Sequence, residues 1–222
     1  MDKARATAGS AALCLSILAS SATAGELLVN GDFETGDLTG WTWVPTERPE
    51  PMLTTEVVGF DTSGSGESLA FRVNPGRNPD IGEAQPEGGS LTQAVSMARG
   101  IEYEVRGRAA IRTMLTLPNG EGGSISVRID GSELWCWSVG WMEGETTLRE
   151  SFAGTYTPSF TGLHNLSLTF LRSAGNYGTT PYPVPRVYHY VDNVSVVPEP
   201  ATGLLLVFGA AGLLTRKRRR RR

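Results

Sequence analysis

A chain of 222 residues with 27 glycines, 13 prolines and 19% charged residues has the size of one ordinary domain, and its glycine and proline content favours a loop-rich all-β fold over a helical one. A long coiled coil, a collagen and a multi-domain enzyme are excluded on the same grounds. The formal net charge of −3 averages three unlike segments: residues 1–24 carry +1, residues 199–222 carry +6, and the body, 25–198, carries −10 with eleven arginines and no lysine. An acidic body repels phosphate backbones, so nucleic acid is not an expected partner.

The N-terminus begins with a short basic stretch, Lys3 to Arg5, and continues as an apolar and small-residue run from Ala8 to Ala19 that is too short to span a bilayer. It ends in Ala22-Thr23-Ala24, a small-residue cleavage pattern. Together these describe a secretory signal peptide over 1–24, removed by signal peptidase after Ala24. Cys14 leaves with it, so the mature chain keeps one cysteine, Cys136, which cannot form an internal disulfide and is expected to act as a small buried hydrophobe.

The body, 25–197, reads as short runs of period-2 alternation between Gly, Pro, Asn and Asp clusters. Strands are expected at Leu27–Asn30, Trp41–Val44, Met52–Val58, Ser68–Val73, Ser90–Met97, Glu102–Ala110, Ser124–Asp130, Leu134–Trp141, Leu148–Tyr156, Leu163–Arg172 and Val187–Val197. Long loops are expected around Asn74–Gly89 and Ser173–Pro185, a mobile loop at Asn119–Gly123, and a flexible linker at Ser63–Gly66. No window offers a helix. Many short strands at this spacing predict an all-β chain, a two-sheet β-sandwich of the jelly-roll kind.

Within that body, alternation places Trp135, Trp137, Val139 and Trp141 on one strand face and Cys136 and Ser138 on the other. Such an aromatic surface can serve as sandwich core or as a platform on which sugar rings stack. In the last strand Asp192 shares parity with Val194 and Val196, so it is expected to point inward, where a carboxylate needs a cation or several hydrogen bonds. Signatures of catalysis are missing: the two histidines, His164 and His189, lie far apart in strand patterns, and there is no zinc spacing, nucleophile elbow or phosphate loop. Glu102 and Glu104 share a strand face, a solvated arrangement more than a catalytic one. The chain is expected not to be an enzyme.

The C-terminal segment, 198–222, has three parts in order: Pro198-Glu199-Pro200, an apolar stretch from Ala201 to Thr215, and Arg216 to Arg222 with one lysine among the arginines. As a helix the 15 apolar residues would be about 22 Å long, short for a bilayer core of roughly 30 Å, a gap that snorkelling arginines and local thinning can close. The cations would stay on the cytoplasmic side, leaving the body outside.

This segment resembles the PEP-CTERM protein-sorting signal. The resemblance implies an inner-membrane-anchored precursor that exosortase cleaves near Pro198, Glu199 and Pro200 on its way to the cell surface or extracellular matrix, where such proteins accompany polysaccharide and biofilm. In the body, Asn30-Gly31-Asp32-Phe33-Glu34-Thr35-Gly36, followed by Gly40-Trp41, together with Ser90–Val95, Gly100–Val105 and Tyr190–Val196, resembles the galactose-binding-like fold of carbohydrate-binding modules. That resemblance implies a two-sheet jelly roll, extracellular polysaccharide as a partner, and a structural calcium held by Glu34 and Asp192, although Asn193 stands where a second acid is common. A structural or adhesion protein binding other proteins, and a glycoside-active enzyme, are the rival readings.

Overall fold

The computed structural model describes residues 26–46, 54–75, 86–114, 120–172 and 187–199. The expected signal peptide, Ala22 and Ala24 included, lies outside them, as do Pro200, the expected C-terminal helix, the terminal arginines and most of both expected long loops.

Ten strands are present: β1 (Thr42–Pro45), β2 (Thr54–Phe60), β3 (Ser68–Asn74), β4 (Glu87–Met97), β5 (Tyr103–Thr113), β6 (Gly120–Ile129), β7 (Ser132–Met142), β8 (Thr147–Tyr156), β9 (Gly162–Arg172) and β10 (Val187–Pro198). They form two antiparallel five-stranded sheets, sheet I in the order β1-β4-β9-β6-β7 and sheet II in the order β2-β3-β10-β5-β8. Without the edge strands β1 and β2, the remaining eight follow the strand order of a jelly roll, consecutive strands alternating between sheets except at the β6–β7 hairpin. The chain is therefore an all-β, two-sheet sandwich.

Alternation along the strands builds the core. On β9, Leu166, Leu168 and Phe170 are buried while Asn165 is exposed and Ser167 and Thr169 are half-buried, and on β5 Val105, Ala109 and Ile111 face the same interior from the other sheet. Phe71 packs at 5.4 Å centroid distance from Phe170 across the sheets. Gly107 is where a side chain would be expected to point inward on β5, and the ring of Phe152 from β8 fills that space instead.

Residues Leu27–Asn30 are not a strand. They run beside the end of β10, with Leu27 N–H donating to Val196 O at 3.1 Å and Val194 N–H donating to Gly31 O at 2.8 Å. Contact this close is why position 31 is glycine: a Cβ there would collide with the Val194 carbonyl oxygen. The following turn is organised by Asn30, in the left-handed region at φ 53°, whose side chain accepts from Thr35 N–H and donates to Asp37 O. Trp41 Nε1 donates to Asn30 O at 3.0 Å and its ring stacks on buried Phe33, which closes the turn onto the core.

Other expectations change for identifiable reasons. Gly88 and Gly89 belong to β4, and Gly120–Gly123 to β6, because both runs pair with neighbours along their length. Ser63–Gly66 is a built turn, since the Asp61 carboxylate accepts from the N–H groups of Ser63 and Gly64. Cys136 is exposed, on the outer face of β7 opposite Ser126. Glu102 precedes β5 and shares no strand with Glu104. Asp192 does not share the inward parity of Val194: a register shift between Asp192 and Ser195, with Asn193 at φ 53°, inserts an extra residue and turns Asp192 to the outer side of sheet II.

Candidate functional site

The outer face of sheet II gathers aromatic and arginine side chains that the core does not require. Its register sets Glu56, Arg72, Tyr190, Ala110 and Arg149 in one row across all five strands. A neighbouring row contains Tyr188, Arg112 and Thr147, and on the other side lie Arg108 and Ser151, then Arg106. Ala70 and Ala110 point outward and are nonetheless fully buried, because larger neighbours close over them.

The aromatic part is built by stacking. The Phe60 ring lies on the Tyr190 ring at 3.6 Å between centroids and 11° between planes, and Tyr188 meets Tyr190 at 6.4 Å. Arg72 places its guanidinium 4.8 Å from the centroid of the Tyr188 ring and donates to the Glu56 carboxylate from Nε at 3.1 Å. Burial under Phe60 raises the pKa of the Tyr190 phenol above the usual range, so the ring stays neutral. Tyr188 remains half-buried. These residues were hidden in the sequence because Phe60 and Tyr190 are far apart along the chain; the alternation of Arg106 and Arg108 with Arg112 was the visible signal.

At one end of this face sits the corner that the first turn and last strand were expected to form. The Asp192 carboxylate is fully buried and accepts from Ser68 Oγ at 2.5 Å, Thr62 Oγ1 at 3.4 Å, Asn193 N at 2.6 Å and Asn193 Nδ2 at 2.9 Å. Glu34 Oε1 accepts from the N–H of Leu69, the residue next to Ser68, at 3.1 Å. Desolvation raises the pKa of Asp192, its hydrogen bonds oppose the rise, and the Glu34 charge adds to it. Glu34 and Asp192 are held at the same end of β3, through Leu69 and Ser68, and the oxygens there, carboxylate and hydroxyl, are hard donors of the chemistry calcium takes. Among the described residues no three acidic, histidine or cysteine side chains converge as a metal cluster.

The tryptophans divide. Trp135 and Trp137 are 6.4 Å apart, and Trp135 lies 5.2 Å from Phe152, so the pair closes the sandwich edge between β7 and β8. Trp141 is 64% exposed, four residues further along the edge strand, and is not brought to the other two. Neither histidine offers a nitrogen to a substrate. His164 is buried, with Nδ1 2.6 Å from Asp130 Oδ2 and Nε2 3.2 Å from Phe160 O. Tyr156 also donates to Asp130, so the group clasps the β6–β7 turn to β9. His189 is fully buried, Nε2 donates to Gly122 O at 2.6 Å, and burial pushes its pKa down to about 4.

Residues 196–221 match the PEP-CTERM protein-sorting motif. This chain carries that motif. The match includes Pro198, Glu199 and Pro200 and begins within the last residues of β10, beyond which Glu199 N–H donates to Glu102 O at 2.9 Å. No curated protein matches the chain in sequence. Among solved structures, a family 61 carbohydrate-binding module in complex with β-1,4-galactotriose is similar at 15% identity and TM-score 0.46, covering 79% of this chain and 99% of that one. A family 22 xylan-binding domain from Paenibacillus barcinonensis is similar at 13% identity and TM-score 0.42, covering 80% and 97%. A family 4 module is similar at 14% identity and TM-score 0.39, covering 78% and 99%.

Proposed function

We propose that this is an exported protein, sorted through its PEP-CTERM motif, whose sandwich is a non-catalytic binding module for extracellular polysaccharide with its site on the outer face of sheet II. Signal peptidase would remove 1–24 and exosortase would process the precursor, anchored in the inner membrane by its C-terminal helix, near Pro198-Glu199-Pro200, delivering the body to the cell surface or matrix. The observation that carries the binding assignment is the cluster of Phe60, Tyr188 and Tyr190 on a sheet face outside the core, braced by Arg72 and Glu56. Sugar rings present an apolar C–H face to an aromatic ring and hydroxyls to flanking charged groups, which is the chemistry this face offers.

A structural calcium at Glu34 and Asp192 would neutralise the buried Asp192 carboxylate and tie the first turn to the last strand. It would contribute stability, not chemistry. The binding assignment is tested by calorimetric titration of the full chain with soluble xylan, β-1,4-galactan and polygalacturonate. Tyr188→Ala is expected to weaken whichever polysaccharide binds by about tenfold or more, the scale of a lost aromatic contact. Trp141→Ala should leave it unchanged. The reverse pattern would move the site to β7, and no binding to any polysaccharide would favour a protein partner.

A further inference from the structure

The body is strongly acidic, yet five of its eleven arginines, Arg72, Arg106, Arg108, Arg112 and Arg149, point out from this one sheet face. Three of them have acidic partners: Arg72 with Glu56, Arg106 with Glu104 at 3.6 Å, and Arg149 with Asp61 at 3.9 Å. Arg108 and Arg112 form no ion pair among the described residues. They stand four residues apart on β5, about 13 Å along the strand, and Arg112 is cross-strand neighbour to Tyr188. The one acid opposite Arg108 is Asp192, and its oxygens are taken by Ser68, Thr62 and Asn193.

Two half-buried arginines with no ion-pair partner among the described residues, one of them beside an aromatic ring, fit a ligand that brings carboxylates at intervals along a sugar chain. A guanidinium holds a carboxylate through two parallel N–H bonds, and such charge-assisted pairs are about twice as strong as neutral ones. We propose, resting on the polysaccharide-binding reading, that the ligand of this face is an acidic polysaccharide whose uronate carboxylates pair with Arg108 and Arg112 while a sugar ring packs against Tyr188. A densely charged polyphosphate is a poorer fit, because Glu56, Glu104 and Asp61 stand among the arginines and the body as a whole is negative.

The test compares binding of the full chain to polygalacturonate and to the same polymer after its carboxyl groups are reduced to alcohols. The wild type should bind the acidic polymer at least tenfold more tightly, and R108Q/R112Q should remove that preference while keeping the wild-type melting temperature. Y188A should weaken binding to both polymers. Equal affinity for the reduced polymer would overturn the charge assignment and leave polysaccharide binding standing if Tyr188→Ala still weakens it. Undiminished binding of R108Q/R112Q to polygalacturonate would also overturn it, since the contact would then lie elsewhere, for example at the basic tail, which the variant retains. Stronger binding of inorganic polyphosphate, lost in R108Q/R112Q, would overturn it in favour of a phosphate ligand. Should the double variant not fold, R108K/R112K keeps the charge without the planar fork and is expected to show a reduced preference.

Discussion

The Phe60 ring, from the edge strand β2, lies flat on Tyr190 of the central strand β10 with 3.6 Å between centroids. The intervening strand β3 contributes only Ala70 and Ser68 to that part of the outer face, and Ala70 is fully buried. A large side chain on an edge strand thus closes over a small one to form the floor against which Tyr188 and Arg72 stand.

Removing that ring should be felt twice. Phe60→Ala exposes Ala70 and one face of Tyr190, and is expected to cost about 2 kcal/mol of stability, below the range for a fully buried phenylalanine because Phe60 is only half-buried. It should also weaken polysaccharide binding by freeing Tyr188 and Tyr190 to turn. Chemical denaturation and titration of the same variant check the two effects separately.

Two buried groups titrate with opposite signs. Burial lowers the His189 pKa to about 4 from 6.5, so its contribution is present above pH 6.5 and lost as pH falls through 4, about 3 kcal/mol in all. Burial raises the Asp192 pKa above 3.8, so its contribution is complete below that value and is lost as pH rises through the raised one. In denaturation curves from pH 4 to 7, His189→Gln should gain stability relative to wild type as the pH falls. Asp192→Asn should gain relative to wild type as the pH rises.

Calcium would reverse the second trend, because a bound cation favours the ionised carboxylate. Thermal melts at pH 7 are expected to show a lower midpoint after chelation and recovery with added calcium, with both responses lost in Glu34→Gln/Asp192→Asn. A midpoint indifferent to chelator would leave Asp192 as a carboxylate held by hydrogen bonds alone.

For sorting, replacement of Pro198, Glu199 and Pro200 by alanine should hold the precursor in the membrane of a host with exosortase. Intact mass of the wild-type product should show the loss of 1–24 and of the C-terminal apolar stretch with its arginines.

Much of this was legible in the sequence, and the exceptions have physical causes. Strands β3 to β10 show themselves because each has one face in a core and the other in solvent or against polar neighbours, which imposes period-2 alternation. Leu27–Asn30 carries the same apolar pattern without being a strand, since its hydrogen bonds run to the irregular end of β10. The pairing of Glu34 with Asp192 was implied by the resemblance of the first turn and last strand to carbohydrate-binding modules, whereas the facing of Asp192, read from alternation, is inverted by one inserted residue at Asn193. The aromatic platform was invisible because nothing local ties Phe60 to Tyr190; only the register of three strands brings them together. The tryptophans of β7 were conspicuous, yet an edge strand seals two of them against Phe152 and the core margin and exposes the third.

Polysaccharide is proposed to bind on the outer face of sheet II. The most direct measurement is the map of backbone amide shifts in an isotope-labelled sample on addition of polygalacturonate oligomers. The shifts are expected to concentrate at Arg72, Arg108, Arg112, Tyr188 and Tyr190, on β3, β5 and β10. Shifts confined to β6 and β7 around Trp137 and Trp141, with that face silent, would contradict it.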